Sequence, residues 1–167
     1  MGDTQKNLQD AFAGESQASR RYLFFADKAE KEGHTQIARL FRAAAEAETV
    51  HAYHHLRNMD GIKSTRENLE AAISGEHYEF TEMYPGFIEQ AKAEGNKRAE
   101  SGFNFANKVE EIHHGLYQDA LEALEAGKQL KDEPYFVCGV CGYTVAGEAP
   151  DNCPICGAPT SRFTRVD

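Results

Sequence analysis

Apolar residues recur every three or four positions through the first 130 residues, in four stretches rich in Ala, Glu, Lys and Arg. That period marks amphipathic helices rather than strands. The four inward stripes read Leu8, Phe12, Glu15, Ser19, Tyr22, Ala26, Ala29; then Ile37, Phe41, Ala44, Glu48, His51, His55. The third and fourth read Leu69, Ala72, Glu76, Glu79, Met83, Phe87 and Phe103, Ala106, Glu110, His113, Tyr117, Ala120, Leu124. Gly33, Gly61, Gly95 and Gly127 close the stretches, and glycine is the usual residue just past a helix end. Ser64 with Glu67 has the form of a capping box opening the third helix. Pro85 predicts a kink rather than a break. Four such helices predict a mainly α protein built on a four-helix bundle over residues 1–130. The polar KQLKDEP that follows reads as a linker ending at 131–134, and residues 135–167 as a separate small module.

Each stripe carries polar residues where a bundle core should carry leucine. Glu15 lies 18 residues before Gly33, while Glu48 and His51 lie 15 and 18 after it. Glu76 and Glu79 lie 19 and 16 before Gly95, while Glu110 and His113 lie 15 and 18 after it. In antiparallel helices of equal rise these residues fall at one height. The halves also repeat: Phe41, Glu48 and His51 recur 62 residues on as Phe103, Glu110 and His113, and Glu15 recurs 61 on as Glu76.

Any one of these glutamates alone reads as a surface residue. Five carboxylates and two imidazoles at matched heights do not, and burying them without a cation would cost several kcal/mol per ion. Two divalent ions nearly cancel that charge. A Glu from each of two helices, with Glu-x-x-His from the other two, is the donor set of ferritin-like di-iron and di-manganese sites. Such ligands suit iron or manganese better than zinc. Of the remaining histidines, His54 and His114 read as solvated neighbours, His34 and His77 have no evident partner, and His55 reads as a packed histidine.

The chain has 167 residues, with 18 Lys+Arg against 27 Asp+Glu, for a formal charge of −9. That balance argues against nucleic acid or an anionic membrane surface as partner, and no apolar run approaches the length of a membrane span. The opening MGDTQKNLQD lacks the pattern of a signal peptide. All four cysteines lie between 138 and 156, a metal knot rather than a disulfide framework, which fits the cytoplasm. Cys138-Gly-Val-Cys141 and Cys153-Pro-Ile-Cys156 form a doubled C-x-x-C pattern suited to tetrahedral zinc or iron. The carboxylate box nearby tilts the choice toward iron, although recombinant protein can carry zinc there. No bundle residue is expected to depend on this knot.

Taken together, AFAGESQASRRYLFFA, AEAETVHA, GEHYEFTEMYP, VEEIHHGLY and the tail YFVCGVCGYTVAGEAPDNCPICGAP resemble the rubrerythrin family over essentially the whole chain. The resemblance implies a ferritin-like di-iron bundle with a C-terminal rubredoxin-like Fe(Cys)₄ module, reducing hydrogen peroxide to water. It implies that Glu15, Glu48, Glu76 and Glu110 hold iron in both oxidation states. Glu79 and His51 would exchange on one iron, and Tyr22 and Tyr84 would hydrogen-bond near the ligands. No G-x-G-x-x-G motif follows a strand, so electrons are expected from rubredoxin or a separate NAD(P)H-dependent reductase. Iron storage with ferroxidase activity, and a zinc-ribbon adaptor, are the competing readings. The attached cysteine module argues against storage, since a mineral store needs no built-in reductant.

In ferritin-like bundles the second and third helices run parallel and need a long crossover. The link from Asp60 to Ser64 reaches about 18 Å at most, against roughly 40 Å for a helix of this length. That mismatch predicts a homodimer in which each chain lends its first hairpin to the other's second. A simple up-down-up-down bundle is the alternative.

Overall fold

The computed structural model describes residues 3–167, in two compact units, one ending at Lys63 and the other running Ser64–Asp167. The first is a helical hairpin of α1 (Asp3–Lys31) and α2 (Thr35–Asn58). Gly33, at φ +82°, makes the turn, with the His34 N–H donating back to the Ala29 carbonyl at 2.8 Å. The buried seam is almost wholly small: Ala18, Ser19, Ala26, Ala29, Ala38, Ala45 and Ala52. Small side chains let helix axes approach to about 8 Å, and the Ser19 and Thr49 hydroxyls meet across the seam at 2.9 Å. On α2 this seam runs one residue on from the sequence stripe. Glu48 is only half-buried, and Ile37 and His51 are exposed. Two helices can bury only the strip between them, which leaves the predicted stripe as an open face of the hairpin.

The second unit contains α3 (Thr65–Tyr78), a π-helical turn (Glu79–Met83), α4 (Tyr84–Ala93), α5 (Lys97–Glu125) and a small sheet. Ser64 and Glu67 form the expected capping box. Helix continues through Pro85, which sits in the first turn of α4. Just before it the Tyr84 N–H reaches the Glu79 carbonyl, five residues back. The sheet has strand order β2–β1–β3, antiparallel throughout, from β1 (Tyr135–Cys138), β2 (Thr144–Ala146) and β3 (Phe163–Val166).

One predicted turn differs in its chemistry. After α2 the left-handed residue is Asp60, at φ +54°, not Gly61. The Gly61 N–H still closes the helix onto the Leu56 carbonyl at 2.9 Å. Glycine is needed there for space: a Cβ on Gly61 would run into the Leu56 side chain and stand 3.1 Å from the Leu56 carbonyl oxygen. Gly61→Ala is therefore expected to destabilise the metal-free protein by about 1–2 kcal/mol, read from urea unfolding. An unchanged midpoint would refute the close approach.

Candidate metal centre

Two carboxylate–imidazole groups lie on the helices, one in each unit. In the first, ligand atoms of Glu15, Glu48 and His51 all lie within 4.8 Å of one another. In the second, those of Glu76, Glu110 and His113 do the same. The i, i+3 spacing on α2 and α5 turns each Glu toward its His. His51 Nδ1 stands 2.9 Å from Glu48 Oε2, and His113 Nδ1 stands 2.8 Å from Glu110 Oε2.

The surrounding rings repeat as closely as the donors. Tyr22, Phe25 and Phe41 have centroid separations of 6.2, 6.1 and 5.6 Å. Tyr84, Phe87 and Phe103 have 6.1, 6.2 and 5.5 Å. Tyr22 and Tyr84 therefore occupy equivalent places in the two hairpins.

One residue breaks the repeat, and the π turn absorbs it. Glu15 to Tyr22 is seven residues, but Glu76 to Tyr84 is eight. In a regular α-helix the extra residue would swing Tyr84 by about 100° off the donor face. The wide turn at Glu79–Met83 takes up that residue and returns Tyr84 to the carboxylates. The change from a 61- to a 62-residue offset between the repeats was its trace in the sequence.

Glu79 sits at the start of the π turn, beside the second donor group rather than within its closest set. Burial, then the charge of Glu110, raises its carboxyl pKa above 4.5. Glu76 is raised by burial and by Glu110, against a lowering pull from His113. Burial and the charges of Glu110, Glu79 and Glu76 raise the Tyr84 phenol above its ordinary value, which keeps it protonated near neutrality.

Does this donor set fit a metal? Thr144 Oγ1 donates its single proton to the Gly142 carbonyl at 3.0 Å. It can therefore only accept from His113 Nε2, also at 3.0 Å. With Nε2 donating, the Nδ1 lone pair of the neutral ring faces a carboxylate oxygen at 2.8 Å. Positive charge at Nδ1, from a proton on the ring or a metal ion held by both groups, makes that geometry favourable. Separations of 2.8–2.9 Å also match two adjacent ligands on one ion at about 2.0–2.1 Å. The group fits iron.

The cysteine knot fits equally well. None of its four cysteines is disulfide-bonded. Cys138 and Cys156 sulfurs lie 3.7 Å apart, and Cys141 and Cys153 sulfurs 3.5 Å apart. A tetrahedron with metal–sulfur bonds of about 2.3 Å has edges of about 3.8 Å. The two knuckles are built alike: the Gly142 N–H donates to the Cys138 carbonyl and the Gly157 N–H to the Cys153 carbonyl, at 2.9 and 2.8 Å. Burial opposes ionisation of Cys138, yet backbone N–H groups of Cys141 and Val140 draw its thiol down to about 7.

Family comparisons match these parts. A rubrerythrin family profile covers residues 6–121, and one for the rubrerythrin rubredoxin-like domain covers 136–164. The chain belongs to the rubrerythrin family. It is 40% identical to a rubrerythrin of Porphyromonas gingivalis over 96% of this chain and 88% of that one. It is 35% identical to rubrerythrin-2 of Clostridium acetobutylicum, over 93% and 92%. A solved nigerythrin structure, described as fully reduced and all ferrous, is 36% identical with a TM-score of 0.57, covering 99% of this chain and 87% of that one. This rubrerythrin thus has the helices of a ferritin-like bundle and a rubredoxin-like cysteine module. Among the described residues no helix is long and apolar enough to cross a membrane.

Two expectations need correction. His77 and His114 are not lone or solvated: their rings stand 5.6 Å apart, each 5.4 Å from Phe80, in one three-ring cluster. The bundle is also not independent of the knot, since His113 leans on Thr144 of β2. Sequence spacing held no hint of that contact, because a lone threonine opening a three-residue strand carries no periodic signal.

Glu79 supplies a test of the electrostatics. Its folded-state pKa is raised, so its ionised form costs the metal-free protein stability at neutral pH, and the cost disappears as pH falls below 4.5. Glu79→Gln should raise the metal-free melting temperature at pH 7, and the gain should fade as pH is lowered toward 4. A lower melting temperature at pH 7 would contradict this assignment.

Proposed function

We propose that this rubrerythrin is a non-haem di-iron peroxidase that reduces hydrogen peroxide to water in the cytoplasm, as an oxidative-stress defence. Its electrons would come from rubredoxin or an NAD(P)H-dependent reductase by way of an Fe(Cys)₄ centre. One observation carries the reading: a carboxylate–imidazole group on α5 and a four-thiolate group beside it are joined through His113 and Thr144. When bound, a ferrous pair supplies two electrons together, and the single thiolate-bound iron restores them one at a time.

The chain's residues divide the remaining work. Glu15, Glu48, Glu76, Glu110 and His113 hold the pair of irons, with Glu79 and His51 as the exchanging ligands. The π turn suits exchange, because Glu79 sits where the regular helical ladder is already interrupted. Splitting peroxide into two waters also takes two protons. The Tyr84 hydroxyl stays protonated beside three carboxylates and is placed to deliver a proton. Tyr22 repeats the position of Tyr84 on the other hairpin. Cys138, Cys141, Cys153 and Cys156 hold the electron-entry iron, and residues 135–167 form a module joined to the bundle of residues 1–130 by the 131–134 linker.

The active unit is a homodimer with exchanged hairpins. Only six residues separate Asn58 from Thr65, a reach of about 22 Å. The first hairpin buries little beyond alanine and exposes Phe24, Leu40, Val50 and Tyr53. It carries half of a donor set on its open face. A second chain's Glu76, Glu79, Glu110 and His113 complete it.

Two experiments test these readings. Anaerobically reduced protein should lose its iron–thiolate colour and regain it rapidly on adding hydrogen peroxide. A chromophore that stays bleached in excess peroxide rules the peroxidase out. Glu48→Ala and Glu110→Ala chains should each lose di-iron binding, and co-refolding the two should restore it at one site per heterodimer. Failure of recovery would favour the simple up-down bundle.

A further inference from the structure

We propose that Thr144 is a positioning residue for the bundle metal site, holding His113 as the Nε2–H tautomer with Nδ1 free for the metal. The proposal rests on the reading of His113 as a ligand. A ligating histidine works in one tautomer and one ring orientation, and a partner on its other nitrogen fixes both. Here that partner comes from the cysteine module. Thr144 Oγ1 commits its proton to the Gly142 carbonyl at 3.0 Å and turns a lone pair to His113 Nε2 at 3.0 Å.

The seat for this contact is built into α5. Val109, only 2% exposed, lies one turn before His113 on the same face. A Cβ on Gly142 would stand 3.6 Å from Val109 Cγ1, so the Cys138–Cys141 knuckle rests on that turn. Gly142 follows Cys141 directly and holds a φ of +87°. Gly142, whose N–H closes the thiolate knuckle, thus also orients a bundle histidine through its carbonyl.

The other hairpin provides the contrast. His51 has the same Nδ1 contact to its glutamate, at 2.9 Å. Its side chain, however, is 55% exposed, and among the described residues its Nε2 makes no hydrogen bond. The two Glu-x-x-His motifs are alike in sequence but unequal in support. Within its own unit His113 is braced on Nε2, whereas His51 has only its Nδ1 contact to Glu48 within its hairpin.

Thr144→Val keeps the side chain's shape and removes the hydroxyl, while Thr144→Ser keeps the hydroxyl. Each would be loaded with zinc, a diamagnetic probe, after histidine 15N labelling. In the parent and in Thr144→Ser, the His113 Nε2–H should appear as a slowly exchanging proton, and in Thr144→Val it should exchange with water. Cobalt titration of the metal-free proteins should show bundle-site affinity weakened about 10–100-fold in Thr144→Val and restored in Thr144→Ser. Cobalt–thiolate absorption from the four-cysteine site should be unchanged in both, which reports an intact module. Unaltered His113 exchange and bundle affinity in Thr144→Val would overturn the proposal. So would equal loss in Thr144→Ser, which would assign the effect to packing. Neither measurement involves peroxide. A parent protein that binds metal yet ignores peroxide would defeat the peroxidase reading and leave this inference standing.

Discussion

Glu110 Oε2 and His113 Nδ1 stand 2.8 Å apart while the other imidazole nitrogen is committed to donating. Unless a proton on Nδ1 or a metal ion supplies positive charge there, two lone pairs confront each other in a partly desolvated setting. The requirement for positive charge at that point explains much of the helical architecture around it. Glutamates on inner faces are costly on their own, so they stand where several donors can share an ion. The long proline-poor helices bring these donors to matching distances from their turns. Alanines along the α1–α2 seam let the backbones approach closely enough for Glu15 and Glu48 to serve one position. A leucine-filled seam would bury more apolar surface and spread those carboxylates apart. Packing strength has been traded for donor geometry, and the exposed Phe24 and Leu40 show how much apolar surface the hairpin leaves open.

The helices, the capping box at Ser64 and the cysteine knot were legible because each obeys a local rule. Periodicity, a three-residue capping interval and C-x-x-C spacing all act within a few residues of chain. The donor groups were legible for a related reason, since equal helical rise turns distance from a turn into height. What was not legible depends on exact packing. Asp60 takes the left-handed conformation that sequence assigns to Gly61, and Gly61 is instead the position where a side chain would meet Leu56. His77 and His114 find partners in each other and in Phe80 only once α3 and α5 are side by side. A pattern reading that stops at single helices treats His114 as solvated and finds no partner for His77.

The π turn lies between these cases. A one-residue mismatch between the two repeats is visible in the sequence, yet its consequence is three-dimensional. An insertion in a helix must either rotate everything beyond it or be taken up locally. Here it is taken up locally, at Glu79–Met83, with the Tyr84 N–H spanning to the Glu79 carbonyl. The ring trio beyond it then matches its counterpart to within about 0.1 Å in every separation. The inserted residue is thus absorbed within one turn, which also carries Glu79, the carboxylate beside the second donor group that the first hairpin lacks.

The same logic extends to the cysteine module. Two internal repeats of equal sequence would give two equivalent donor sets, and the second unit departs from that equivalence. Glu79 adds a carboxylate to the second hairpin, and Thr144 adds a brace to its histidine. Neither addition disturbs the shared framework of Glu-x-x-His and three aromatic rings. Among the described residues His51 has no matching contact on its Nε2 within its own hairpin. Near-symmetry makes the donor framework from a repeated plan, and two local departures from it, both in the second unit, make the two donor groups unequal.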